Sequence, residues 1–268
     1  MCQEGLSNKA VLHRRKMQMR LDKYLSDMGA GTRSELKKDI KSGLVTVDGI
    51  TVRDPGTQVI PDSLITYRGE AVGYEEYSYY MLNKPAGVIS ASEDLHETTV
   101  VDLITDQKRK DLFPVGRLDR DTEGLLIITN DGEMAHRLLS PRHHVDKTYY
   151  ARVTGIVTAD TVEAFASGLV LPDGLECLPA ELKILGISNV SAEDISNSDS
   201  SSCQKYTDTE VTIREGKFHQ IKRMFLATGH EVIYLKRLSM GPLTLEPSLE
   251  PGEYRRLTSD EIKELKSI

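Results

Sequence analysis

The sequence predicts an α+β protein: a small N-terminal module of two helices and short strands, followed by a larger mixed, mainly antiparallel domain. Three observations carry that expectation. At 268 residues the chain reaches the size at which single hydrophobic cores stop growing, so two cores are expected. Residues 19–70 read as two short helices and then tight hairpins. From residue 79 onward strand and helix signals alternate irregularly, without the regular strand and crossover-helix rhythm of a doubly wound sheet. The expected division is a flexible extension over 1–18, a first domain over 19–78 and a second over 79–268.

The first 18 residues show no clear period and end in the basic cluster Arg14, Arg15 and Lys16, which reads as a flexible arm. Translation beginning at Met19 is a second reading, because the helical pattern starts there. MRLDKYLSDMG sets Leu21, Tyr24, Leu25 and Met28 on one face. A second helix is expected from Thr32 or Ser34 to Gly43, with Leu36 and Ile40 turned inward. Arg33, Lys37, Lys38 and Lys41 then face solvent and, with Arg20, are candidates to meet phosphates. LVTVDGITV follows as two strands around the tight-turn pair Asp48-Gly49, and DPGTQVIPDSLITY supplies further turn and strand material.

Beyond the tyrosine-rich connector GYEEYSYY, the strand YYMLNK ends where Pro85 and Gly87 force a turn. LLIITNDG reads as a buried strand, KTYYARVTG as another strand and DTVEAFASG as a short amphipathic helix. Residues 187–209, including SNVSAEDISNSDSSSCQ, are rich in Ser, Asn and Asp and read as a mobile surface loop, either a lid or an insertion.

Composition narrows the function classes. No stretch approaches the roughly 18 apolar residues of a membrane span and no secretory layout opens the chain, so a cytoplasmic protein with no membrane partner is expected. Cys2, Cys177 and Cys203 are odd in number and far apart, which suits neither a disulfide framework nor a thiolate metal site. The net charge of -7 speaks weakly against a nucleic-acid partner, but its distribution speaks for one: residues 1–60 hold eleven Lys or Arg against seven Asp or Glu.

Chemistry concentrates in FPVGRLDRDTEGLLIITNDGE at 113–133. A polar turn there crowds Arg117, Asp119, Arg120, Asp121 and Glu123 ahead of an apolar strand. From residue types alone this is either a surface salt-bridge loop or a carboxylate site, and paired carboxylates would suit hydrolysis of a glycosidic bond. Arg142, His143, His144 and Lys147 form a second polar cluster. Adjacent histidines point poorly at one ion, so RNA contact or structural hydrogen bonding is expected there rather than a metal.

GRLDRDTEGLLIITNDG closely resembles the catalytic motif of pseudouridine synthases of the RsuA type. LNKPAGV at 82–88, SPRHHVDKTYYARV at 140–153, EGKFHQIKRMF at 215–225 and PGEYRRLT at 251–258 follow in that family's order. Residues 19–70 resemble the alpha-L RNA-binding module first described in a small-subunit ribosomal protein. With it, the resemblance spans nearly everything from Met19 onward.

The resemblance implies a pseudouridine synthase catalytic domain behind an RNA-binding module, acting without organic cofactor, ATP or metal. The implied reaction breaks the N1–C1′ bond of a uridine, turns the base and rejoins it through C5. Asp119 is implied as the catalytic carboxylate, acting through a covalent sugar adduct or through C2′ proton removal to a glycal. Tyr149 is implied to stack on the uracil, with Tyr150 the alternate, and Lys222 to pair with Asp119. Arg117 is expected where the uridine leaves the stack. Arg142, Lys217, His219 and Arg223 are expected RNA contacts. HQIKRMF and PRHH favour 16S rRNA in a small-subunit assembly intermediate over 23S rRNA, with the chain acting as a monomer. An inactive RNA-binding or assembly protein is the alternative from another class, and a nucleoside or glycoside hydrolase using Asp121 or Glu123 is a third.

Overall fold

A computed structural model of the protein describes residues 18–107, 109–190 and 204–268. The expected arm therefore lies outside the described residues up to position 17, as does the middle of the expected polar loop, 191–203. Contacts divide the chain into two units, one running to Ser78 and including 105–112, the other formed by 79–104 and 113–268.

The first unit opens with β1 (Met19–Arg20), α1 (Leu21–Asp27) and α2 (Arg33–Lys41). Thr32 caps α2 in a reciprocal box: its side chain accepts from the Glu35 N–H while the Glu35 carboxylate accepts from the Thr32 N–H. β2 (Val45–Val47), β3 (Ile50–Val52), β4 (Gln58–Val59), β5 (Ile65–Tyr67) and β6 (Glu70–Val72) complete it, in an antiparallel sheet ordered β3-β2-β5-β6 and a β1-β4 pair. Asp48 and Gly49 both take positive φ, which the two-residue hairpin turn demands. Arg68 and Gly69 do the same between β5 and β6, although arginine gives no turn signal in sequence. Leu21, Tyr24, Leu25, Leu36, Ile40, Val45 and Ile65 form the core. Residues 105–112 belong with this unit, where Arg109 is buried, pairs with Asp111 at 2.6 Å and donates to the Glu75 carbonyl.

In the second unit come β7 (Tyr79–Lys84), β8 (Phe113–Pro114), β9 (Glu123–Thr129), α3 (Gly132–Leu139), a 3-10 turn (Pro141–His143) and β10 (Lys147–Thr154). Then follow α4 (Ala159–Ser167), β11 (Leu169–Val170), β12 (Glu176–Cys177), β13 (Glu181–Val190), β14 (Gln204–Ile213), α5 (Gln220–Ala227), β15 (Val232–Met240), β16 (Leu243–Thr244), β17 (Tyr254–Arg256) and α6 (Ser259–Lys266). The main sheet runs β13-β14-β10-β15-β9-β7-β17, with β16 on β15 and β8 on β9. Its pairings are antiparallel except β9 with β15. The mainly antiparallel α+β expectation holds.

β7 is buried along its whole length and β9 nearly so, because apolar residues line both of their faces. Met81, Leu125 and Ile127 pack with Met134, Leu138 and Leu265, while Phe165 of α4 meets Phe225 of α5 at 4.9 Å between ring centres. The expected loop over 187–209 is corrected at both ends. Ile187–Val190 continue β13 and Gln204–Thr209 begin β14, paired in register. Alternating Thr, Tyr and Val in QKYTDTEVTI fits a half-exposed strand, a pattern that the serine-rich run before it obscures.

Candidate active site

The turn that carries Asp119 connects β8 to β9 and is held from behind by the residues of LNKPAGV and Ser90. The Thr122 N–H donates to the Asp119 carbonyl at 3.1 Å, closing the turn, and the Gly87 N–H donates to the Arg120 carbonyl at 2.8 Å. Ser90 donates to the Leu118 carbonyl and accepts from the Leu118 N–H. At the centre is Lys84, 0% exposed, whose ammonium donates to the carbonyls of Pro85 at 2.9 Å, Arg120 at 3.2 Å and Thr122 at 3.0 Å. Burial pushes its pKa down to about 8 against the attraction of Asp121, Glu123 and Asp119. Nothing in the sequence reading gave Lys84 this work; the available signal was a lysine ending an otherwise apolar strand.

Gly124 fixes the far side of the turn. β9 and β15 run parallel there, with Gly124 opposite Arg237 at a φ of +102°, and a Cβ on Gly124 would collide with the Arg237 backbone. The approach admits only glycine.

A pocket of about 80 Å³ opens in front of the turn, lined by Arg117, Leu118, Asp119, Tyr149, His219 and Lys222 among others. Asp119 is half-buried, with Oδ1 3.4 Å from His219 Nε2 and Oδ2 3.4 Å from Lys222 Nζ. Lys222 thus stands within ion-pairing distance of Asp119, as expected, and it has a second, nearer partner. Lys222 donates its short hydrogen bond, 2.6 Å, to Asp121, which stands two residues along the same turn, and that bond holds the Asp121 carboxyl below its usual range despite partial burial. One ammonium thus serves two carboxylates. Glu123 is engaged elsewhere, accepting from the Tyr234 hydroxyl at 2.7 Å.

Strand alternation in β10 separates the two tyrosines. Tyr149 is buried and lines the pocket, whereas Tyr150 is not among its lining residues and donates to Asp208 at 2.6 Å beside Arg152. A larger groove of about 1030 Å³ also borders Asp119 and is lined by Ser90, Arg117, Lys147, Lys217, Phe218 and His219 among others. Lys217 reaches this groove while paired to Glu215 at 2.9 Å. Lys147 is 6% exposed; burial and the neighbouring Arg237 guanidinium push its pKa down to about 8, and its ammonium donates to the Val145 carbonyl.

Other expected contacts stand apart from these cavities. Arg223 pairs with Asp173 at 2.5 Å, and Arg142 is exposed on the 3-10 turn. In the first unit Lys37, Lys38 and Lys41 are exposed on α2. Arg20 and Arg33 both engage the buried Asp22, at 3.0 and 3.4 Å. Burial alone would raise the Asp22 pKa, but these two guanidinium groups bring it below its usual value, so part of their charge is already countered. Among the described residues no group of three or more His, Cys, Asp or Glu is arranged to hold a metal ion, and no helix is long and apolar enough to cross a membrane.

Comparison with known proteins decides what family this site belongs to. The model of the RNA pseudouridylate synthase family matches residues 78–227. The chain belongs to the pseudouridine synthase family. An S4 domain matches residues 19–65 of this synthase. It is 45% identical over 246 residues to an uncharacterised RNA pseudouridine synthase, YtzG, of Bacillus subtilis, covering 91% of this chain and 97% of that one. It is 38% and 36% identical to ribosomal small subunit pseudouridine synthase A of Vibrio cholerae and of Escherichia coli K12, covering 91% of this chain and 98% of each relative. A crystal structure of a pseudouridylate synthase superposes with a TM-score of 0.60 at 34% identity, over 92% of this chain and 99% of the other. These relatives set the synthase in the RsuA-type branch, and its enzyme class is that of an isomerase.

Proposed function

We propose that this synthase isomerises one uridine of 16S rRNA within a small-subunit assembly intermediate in the cytoplasm, with residues 19–78 as its RNA-binding domain and 79–268 as its catalytic domain. The observation that carries the reading is the shared pocket of Asp119, Tyr149 and Lys222. Asp119 acts on the ribose at C1′ or C2′, and both routes begin from the ionised carboxylate. Tyr149 stacks on the uracil while the glycosidic bond is open. Lys222 keeps positive charge beside Asp119, and Arg117 occupies the space the uridine leaves in the RNA. The exposed Lys37, Lys38 and Lys41 meet phosphates, and Arg20, Arg33, Arg142, Lys217, His219 and Arg223 add contacts around them. The names of the small-subunit relatives support 16S over 23S rRNA. Capture of Asp121 by Lys222 and of Glu123 by Tyr234 counts against a hydrolase, which needs a second carboxylate free to place water.

The test is mass-resolved mapping of pseudouridine in unmodified 16S and 23S rRNA, free and protein-bound, after incubation with the protein and with Asp119→Asn. A single new pseudouridine in 16S rRNA, made only by the unaltered protein, is the expected result. Product in 23S rRNA alone refutes the substrate, and turnover by Asp119→Asn refutes the carboxylate.

A further inference from the structure

Phe218 takes no part in the chemistry proposed for Asp119, Tyr149 and Lys222, yet it stands beside them. Its side chain is 71% exposed, and its ring lies on that of His219 with centres 3.8 Å apart and planes 19° from parallel. Single exposed apolar residues are ordinary and need no explanation. The stack differs from these in geometry and place. His219 caps α5 with a left-handed φ of 49°, and its Nε2 is 3.4 Å from Asp119. Both rings border the groove of about 1030 Å³, whereas Tyr149 belongs to the pocket of about 80 Å³. A single base engages the small pocket, and the far larger groove leaves room for the adjoining chain.

The groove's charge suits a polyanion. Lys147, more than nine-tenths buried, is one of its lining residues and, among the described residues, has no carboxylate within ion-pairing distance, while Arg117 stands exposed at the junction of pocket and groove. Unpaired bases of RNA are held by stacking on aromatic side chains, which tolerates any base because each offers a π-face.

We propose that the Phe218–His219 stack is a second base-binding position, receiving the base of a nucleotide that flanks the target uridine. This rests on the synthase reading above. The flanking base lies on Phe218 and its phosphates pass Arg117 and Lys147. His219, in contact with both Phe218 and Asp119, links occupancy of this position to the carboxylate.

The chain contains no tryptophan, so Phe218→Trp places a single tryptophan, excited selectively over the tyrosines, at the stack. The probes are a 16S rRNA fragment carrying the mapped uridine and copies with an abasic site at either neighbouring nucleotide. The expected result is fluorescence quenching by the intact fragment that is lost with one abasic copy, together with a roughly tenfold rise in KM for Phe218→Ala, reversed by Phe218→Tyr. Equal quenching by all fragments, no quenching, or an unchanged KM in Phe218→Ala overturns the platform. Absence of pseudouridine with the unaltered protein overturns the synthase reading itself, and the platform with it; product formation without quenching overturns the platform alone.

Discussion

Replacing Lys84 with methionine should damage catalysis far more than folding, and the structure sets both magnitudes. Methionine fills much the same volume, so the change removes the ammonium and its three hydrogen bonds while leaving little cavity. The Thr122 carbonyl belongs to a buried residue, and loss of its donor costs about 1–3 kcal/mol. The fall of the Lys84 pKa from 10.5 to about 8 means that holding this charge in the fold costs about 3 kcal/mol, and that cost disappears with the charge. The two terms nearly cancel, so the melting temperature should move by less than about 8 °C. Catalysis has no such compensation. The turn bearing Asp119 loses its central anchor, and a displacement near 1 Å lowers turnover by about a hundredfold.

The pH dependence of the same group has a definite sign. With its folded pKa depressed, the desolvation cost of Lys84 is fully present below about pH 8 and is relieved as pH rises from there towards 10.5, so its contribution to stability improves over that window. Turnover moves the other way, because the neutral amine has two N–H donors for three carbonyls. Single-turnover pseudouridine formation and thermal unfolding, each from pH 7 to 10, test both statements. Unaltered turnover in Lys84→Met refutes the anchoring argument, and equal losses of activity and stability refute the separation.

Four further outcomes follow from the geometry. Asp119→Asn should lower turnover by about three orders of magnitude or more with rRNA affinity retained, measured by product mapping and filter binding. Gly124→Ala should destabilise the fold by about 4 kcal/mol, because the new Cβ meets the Arg237 backbone at a positive φ; a melting temperature within about 3 °C of the parent would contradict this. Lys222→Met should reduce kcat about tenfold with less than about threefold change in rRNA affinity, whereas a pure affinity loss would make it a phosphate contact. Changing Lys37, Lys38 and Lys41 together to alanine should lower the slope of log affinity against log salt by about 2, and an unchanged slope would remove α2 from the RNA interface.

Helical periodicity in MRLDKYLSDMG and the Thr32 cap made the first helices legible, because a strip of apolar residues has one way to face a core. The turn of Asp119 and the candidate Tyr149 were legible through the family motifs they resemble, while the choice of Tyr149 over Tyr150 for the pocket comes from the structure. The position of Lys222 between Asp119 and Asp121 was not, since both carboxylates lie in one turn and a spacing of two residues says nothing of which is nearer a cation 101 residues away. Lys84 was hidden for a related reason: its partners are backbone carbonyls, which carry no residue identity. The strands 187–190 and 204–209 were masked by the serine-rich run between them, where composition suppresses the period-two signal. Residues 105–112 offered no sign of belonging with the first unit, because their anchor, Arg109, looks like any surface charge until Asp111 and the Glu75 carbonyl surround it.

The distances around Asp119 fit a reacting carboxylate better than a structural one. A structural aspartate is commonly fixed by short side-chain bonds, as Asp208 is by Tyr150 and Arg152 at 2.6 and 2.7 Å. Asp119 instead has two cationic or potentially cationic groups at 3.4 Å, while the short bond from Lys222 goes to Asp121. A tight pair at Asp119 would occupy the lone pairs that the proposed reaction directs at the ribose and would have to break first. The rigidity the reaction needs comes from the opposite side, where Lys84, Gly87 and Ser90 grip the backbone of the turn and leave the carboxylate oxygens unclaimed. In the proposed mechanism Asp121 takes the short bond of Lys222, which leaves that cation 3.4 Å from Asp119, so the two acidic residues of one turn would divide the work of charge and of reaction.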